Sequence, residues 1–355
     1  MTMMIRKLPT LIRRSVSLGA VALALPIFLN SAGLRAQGYS IDYLVSDVPG
    51  AAANTDTNLV NAWGLALIPG NQLVVNANEN NLAALYTTDG QLTGDYLAVN
   101  SAPSGLLWNP WGGFKVSDGT KNLPSTLIFV TEEGTILGWN PNFAAPAAVV
   151  AVDNSAFDAV YKGVTRMGDL LFAANFKGGV VDVYDSHWNW VMAFTDSHVD
   201  PGFAPFNVAN IDGRLYVSFA KRLAPDFDDD EAGPGNGFVD VFTREGRFVR
   251  RLVSHGALNS PWGMVQAPEH FGQFSHALLV GNFGDGLINA FDPHTGAFLG
   301  TVSDALGNPL AVDGLWGLDF SFMKMDGKFV PALFVSAGPN GESHGLVGRI
   351  TPNGN

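Results

Sequence analysis

The chain has 355 residues, with 20 Lys and Arg against 32 Asp and Glu, a formal net charge of −12 and no cysteine. Such an acidic surface repels phosphate backbones and anionic lipid, so nucleic acid is excluded as an expected partner. The lack of cysteine removes disulfides, thiolate metal sites, cysteine nucleophiles and lipoprotein anchoring. High Gly and Pro content with abundant Val, Leu, Phe and Trp suits many short strands around a large core.

Arg6, Lys7, Arg13 and Arg14 precede an apolar run from Val16 to Leu29, and Ser31 to Ala36 is rich in small residues. A basic region, an apolar region and small residues before Gln37 read as a signal peptide over residues 1–36, cleaved after Ala36. The apolar run is shorter than the ~20 residues that span a bilayer, so no membrane association is expected after cleavage. The expectation is export to the periplasm or beyond, with residues 37–355 forming one domain. Setting aside the basic residues before Gln37 makes the remaining chain still more acidic.

Ile41 to Val45 alternates as a lone strand with no hairpin partner nearby. From Asn61 onward, one pattern recurs six times. Asn259 to Val302 shows it most fully: a strand opening at Trp262-Gly263, a second over Ala277 to Val280, a turn through Asn282-Phe283-Gly284-Asp285-Gly286, a third over Leu287 to Phe291, and a fourth over Ala297 to Val302. Four short strands separated by Gly, Asn, Asp and Pro turns are the size of one propeller blade. The Gly or Asn that opens each unit falls at Gly64, Gly105, Gly163, Asn207, Gly263 and Gly317, at blade-sized intervals. Helical periodicity is nowhere sustained. The pattern predicts an all-β, six-bladed β-propeller. Its last unit lacks an outer strand, and Ile41 to Val45 is expected to supply it beside Leu346 to Ile350, closing the ring and hiding an edge.

Pro261-Trp262-Gly263-Met264, followed by Leu278 to Gly286 and Asn289-Ala290-Phe291-Asp292, resembles the blade grammar of NHL-type and lactonase-like six-bladed propellers. Val48-Pro49-Gly50, Asn58 to Gly64, Val130 to Ile136, Ala232 to Phe242 and Gly338 to Glu342 resemble an uncharacterised family of exported bacterial propeller proteins. Some of its members end in a PEP-CTERM tail. This resemblance implies fold and export and carries no catalytic residues over. After Ile350 the chain shows no hydrophobic tail or basic cluster, so the surface-sorting fate of tailed members is not expected.

In a propeller, the start of each innermost strand and the turn after the second strand share one face. Trp63, Asn78, Asn175, Trp262, Asn282, Asp285 and Trp316 occupy such positions and are the candidate ligand-binding residues. Amides, carboxylates and aromatic faces around one axis suit a hard cation or a sugar. The competing reading is that Asn and Asp serve tight turns while the tryptophans fill core.

Asp226, Asp228 and Asp230 have the alternation of a calcium loop, yet Glu231 stands where an EF-hand needs Gly and Gly237 where it needs Glu. The expectation there is either weak Ca²⁺ binding or a solvated acidic loop. The histidines are scattered and form no metal or triad motif. Two functions remain open. One is a monomeric, noncatalytic module binding a protein, glycan or small molecule. The other is a metal-dependent hydrolase or lyase of lactonase-like type at the central face, whose metal-ligating glutamate would come from Glu79, Glu132, Glu133 or Glu342.

Overall fold

A computed structural model describes residues 38–94, 96–325 and 328–353, so the expected signal peptide lies outside the described residues. Six antiparallel sheets follow one another along the chain. The first blade comprises Ala62–Ile68, Gln72–Ala77, Leu82–Thr87 and Leu97–Ala98. The second comprises Pro103–Trp108, Leu127–Thr131, Thr135–Trp139 and Val149–Asp153, with a small hairpin of Lys115–Ser117 and Asn122–Pro124 inserted after its inner strand. The inner strands of blades three to six are Tyr161–Met167, Phe203–Ile211, Pro261–Gln266 and Leu315–Met325. Helical structure among the described residues amounts to two 3-10 turns, Ser155–Phe157 and Gly272–Phe274.

The ring closes as the sequence requires. Tyr39–Ser46 lies antiparallel to Leu346–Pro352, pairing Ile41 with Ile350 and Val45 with Val347, so the last blade takes its outer strand from the start of the described chain. Tyr39 fastens this strand to the fifth blade. It packs on Phe271 and Phe274, and its hydroxyl donates to the Phe271 carbonyl at 3.0 Å.

Middle strands are buried on both faces, because each blade packs against the next. Phe172, Val181 and Val183 of blade three share one cluster with Val208, Val217, Phe219 and Phe242 of blade four. Outer strands such as Trp190–Phe194 are largely exposed.

The glycine after each opening residue has a steric cause. A Cβ on Gly64 would lie 2.4 Å from the Ser104 carbonyl oxygen, and one on Gly263 would lie 2.6 Å from that of Trp316. At these positions adjacent inner strands approach too closely for a side chain, whereas at blade four the Asn207 amide fits the gap and donates to the Trp262 carbonyl at 2.9 Å. Gly263→Ala is therefore expected to destabilise the protein by about 1–3 kcal/mol through overpacking. Gly94→Ala, where nothing stands within 4 Å, should leave thermal unfolding unchanged.

Candidate functional site

The residue just before each opening glycine or asparagine holds the equivalent place on its inner strand. Around the ring these are Trp63, Ser104, Lys162, Phe206, Trp262 and Trp316. The aromatic members meet in the middle. Trp63 stacks on Trp316 at 3.8 Å, Phe283 stacks on the same indole at 4.0 Å, and Trp262 meets both tryptophans edge-on. Phe176 and Phe206 complete this cluster. Trp63, Trp262 and Trp316 are 1 %, 5 % and 0 % exposed, so they plug the axis and present no open stacking face.

Polar side chains sit around this plug. Asn61 accepts the Trp316 indole N–H at 3.1 Å and donates to Glu342 Oε2 at 2.7 Å and to Asn78 Oδ1 at 3.4 Å. Asn78 donates onward to Glu132 Oε2 at 2.9 Å, and Lys162 Nζ donates to Glu132 Oε1 at 2.5 Å. The Lys162 ammonium also lies 3.7 Å from Asp229 and 5.0 Å from the centre of the Trp63 ring. Trp262 Nε1 donates to the Lys162 carbonyl at 3.2 Å. The network thus draws on every blade.

Its electrostatics follow from burial. Burial alone would lower the pKa of Lys162, but Glu132 and Asp229 outweigh it, so the ammonium is held firmly protonated. Burial pushes the Asp230 carboxyl up to about 6, with Asp229 adding to the rise and Lys162 opposing it. Burial likewise pushes Glu342 up to about 7, again aided by Asp229 and opposed by Lys162. Neither Asp230 oxygen has a well-formed hydrogen bond, and the Trp63 indole N–H is also unpartnered.

Four candidates named from sequence, Trp63, Asn78, Trp262 and Trp316, belong to this cluster. The other three serve turns. Asn175 accepts the Gly178 N–H and donates to Asp182. Asn282 is fully buried and donates to the Ala257 carbonyl. Asp285 is exposed, caps the Leu287 N–H at 3.1 Å and accepts from Asn259.

Asp226 and Asp228 are exposed on the acidic loop, whereas Asp230 is only 8 % exposed and sits within the electrostatic reach of Lys162. The three candidates for Ca²⁺ therefore do not share one environment. Among the described residues, no three His, Asp or Glu side chains gather as a metal-holding group.

Lys162 and Asp229 are the members that sequence reasoning missed. A signal for Lys162 was present, since it is the one charged residue in a ring of aligned positions otherwise filled by Trp, Phe and Ser.

No family model matches the chain. It is 32 % identical over 326 residues to uncharacterized protein R648 of Acanthamoeba polyphaga mimivirus, a match covering 88 % of this chain and 80 % of that protein. It is also 32 % identical over 347 residues to uncharacterized protein L690 of the same virus, covering 91 % and 89 %. The chain belongs to the family of these uncharacterised proteins.

Among solved structures, a streptogramin B lyase superposes with a TM-score of 0.55 at 9 % identity, covering 89 % of this chain and 98 % of that one. Virginiamycin B lyase from Staphylococcus aureus does so with a TM-score of 0.52 at 10 % identity, covering 88 % and 99 %. At such identities the likeness is one of fold: the chain, like these neighbours, is a six-bladed propeller. The relatives named are viral, so the bacterial, exported and PEP-CTERM part of the resemblance rests on the motifs alone.

Proposed function

We propose that the protein is an exported, noncatalytic binding propeller whose axial face takes a glycan or small polar ligand. The observation that carries this reading is the filled axis. Stacked Trp63 and Trp316 occupy the place where a catalytic propeller would bring reacting atoms to convergent groups, and the Lys162 ammonium is already paired with Glu132. What remains around the plug is rich in acceptors, namely Glu342, Asp229 and the amides beside them, so a ligand supplies donors such as hydroxyls. An anionic ligand is disfavoured by the same carboxylates. Export is supported by the basic, apolar and small-residue regions within residues 1–36.

The test is titration of the purified protein with neutral oligosaccharides, such as maltotriose and chitotriose, and with a sulfated oligosaccharide. A neutral sugar should bind, at least tenfold more weakly to Glu342→Ala and Asp229→Ala, while the sulfated sugar does not. Binding of the sulfated sugar alone, or binding indifferent to both substitutions, would sink this reading.

One observation favours a hydrolase or lyase as the second reading. Glu342, pushed up to about 7, is divided between acid and base forms at neutral pH, as general acid–base catalysis requires. Two fold neighbours are also named lyases. Product formation from a bound sugar that Glu342→Gln stops, with binding retained, would move the assignment to this reading.

A further inference from the structure

The inner strands that begin at the axial cluster run away from it and surround a second opening. This is a funnel of about 290 Å³ to which all six inner strands contribute, with Trp262 of the aromatic plug among its lining residues. Its size falls at the small end of the range for small-molecule sites. Leu67, Leu107, Ile211, Val265 and Leu318 are half-buried apolar side chains of its lining, with polar groups of the strands between them.

Two residues beyond each opening glycine or asparagine, the strands place Ala66, Leu107, Thr165, Ala209, Val265 and Asp319 in that wall. Five of these are uncharged. Among the described residues, no other titratable side chain lines the funnel.

Thr165 and Asp319 stand on opposite blades and share one structural task, tying their strand to the next. Thr165 Oγ1 accepts the Asn210 N–H at 3.2 Å, and Asp319 Oδ2 accepts the Leu67 N–H at 3.0 Å. A neutral hydroxyl suffices for this at blade three, so the charge at blade six exceeds what the strand contact needs. The other Asp319 oxygen accepts only the N–H of Phe320, at 2.8 Å. Burial pushes this carboxyl up to about 6, and its backbone N–H partners Leu67 and Phe320 oppose the rise. Among the described residues, two backbone N–H groups are the only hydrogen-bond donors to this charge, and a cation in the funnel would add to them.

We propose that the funnel is a binding site for a small apolar amine, with its hydrocarbon body against the leucines and Val265 and its ammonium on Asp319. The site is independent of the axial polar cluster and of any ligand bound there. Charge and shape select together: the wall rewards an apolar body, and the lone carboxylate rewards a single cation at one side of it.

The test is titration of the protein at pH 7.5 with phenethylamine and with 2-phenylethanol, a neutral molecule of the same size and shape, followed by calorimetry and by the methyl resonances of Val265 and Leu318. The amine should bind and shift those resonances, with the alcohol at least tenfold weaker. Asp319→Asn should erase the preference, and the double variant Asp319→Asn/Thr165→Asp, which moves the carboxylate to the opposite blade, should restore it. Equal binding of alcohol and amine, no binding of either at millimolar concentration, or a preference that survives Asp319→Asn would each overturn the proposal. The amine-to-alcohol comparison on the unaltered protein decides the matter should the variants fail to fold.

Discussion

Replacing Lys162 by methionine is expected to cost the fold about 3–5 kcal/mol, because removing one partner of a buried ion pair leaves the other uncompensated. Methionine fills nearly the same volume, so the loss is electrostatic. Glu132 loses its short ammonium contact, Asp229 its nearest cation, and Trp63 the charge above its ring. The effect carries a pH signature. Asp230 and Glu342 have folded values raised to about 6 and about 7 from ordinary values of 3.8 and 4.5. A raised folded pKa means that stability from these groups is fully present below the unfolded value and is lost as pH rises through the folded one. Lys162 opposes both rises, so its removal drives them further. The deficit of Lys162→Met should therefore be smallest near pH 4 and largest above pH 7. Adding Glu132→Gln should recover part of it. Thermal unfolding of the three proteins across that range is the measurement, and a deficit that stays flat with pH would show that Lys162 matters for packing alone.

The architecture was legible because its causes repeat. A propeller needs a close approach of inner strands six times, and glycine or asparagine marks each one at Gly64, Gly105, Gly163, Asn207, Gly263 and Gly317. It also needs a partner for the edge of Leu346–Pro352, and Ile41 to Val45 was an alternating segment with no hairpin partner nearby. Function is written in departures from the repeat, which are harder to see. Lys162 and Asp319 are each the lone charge in a ring of six aligned positions, a fact visible only when the units are laid over one another. Read singly, Tyr161-Lys162-Gly163-Val164 is an ordinary strand opening. Asn175 and Asn282 misled for the opposite reason: they sit at repeated positions, but Asn175 is spent on its own turn and Asn282 ties its strand to the Ala257 carbonyl of the preceding connection. The path of the acidic loop was not legible at all. Asp226, Asp228 and Asp230 alternate in sequence, yet Asp230 is pulled inward where Glu231 pairs with Lys221 and Arg222 bridges back to Asp230.

Deleting Tyr39–Ser46 should abolish the folded monomer. The segment buries Tyr39, Leu44 and Val45, and each such side chain contributes about 1.5–3 kcal/mol through burial. Their sum is comparable to the whole net stability of an ordinary domain, about 5–15 kcal/mol. The deletion also strips the hydrogen-bond partner from Leu346–Pro352, leaving an apolar edge open to aggregation. A milder change isolates the anchor. Tyr39→Ala removes the ring packed on Phe271 and Phe274 and orphans the Phe271 carbonyl, at an expected cost of about 3–5 kcal/mol. Because the missing strand binds through main-chain pairing to a preformed edge, a synthetic peptide spanning Gly38 to Asp47 should restore a folded complex from the truncated protein when added during refolding. Unfolding curves and size-exclusion profiles of the deletion, with and without the peptide, provide the test. A deletion protein that unfolds at the temperature of the full chain and elutes as a monomer would mean that the ring holds together without its closing strand.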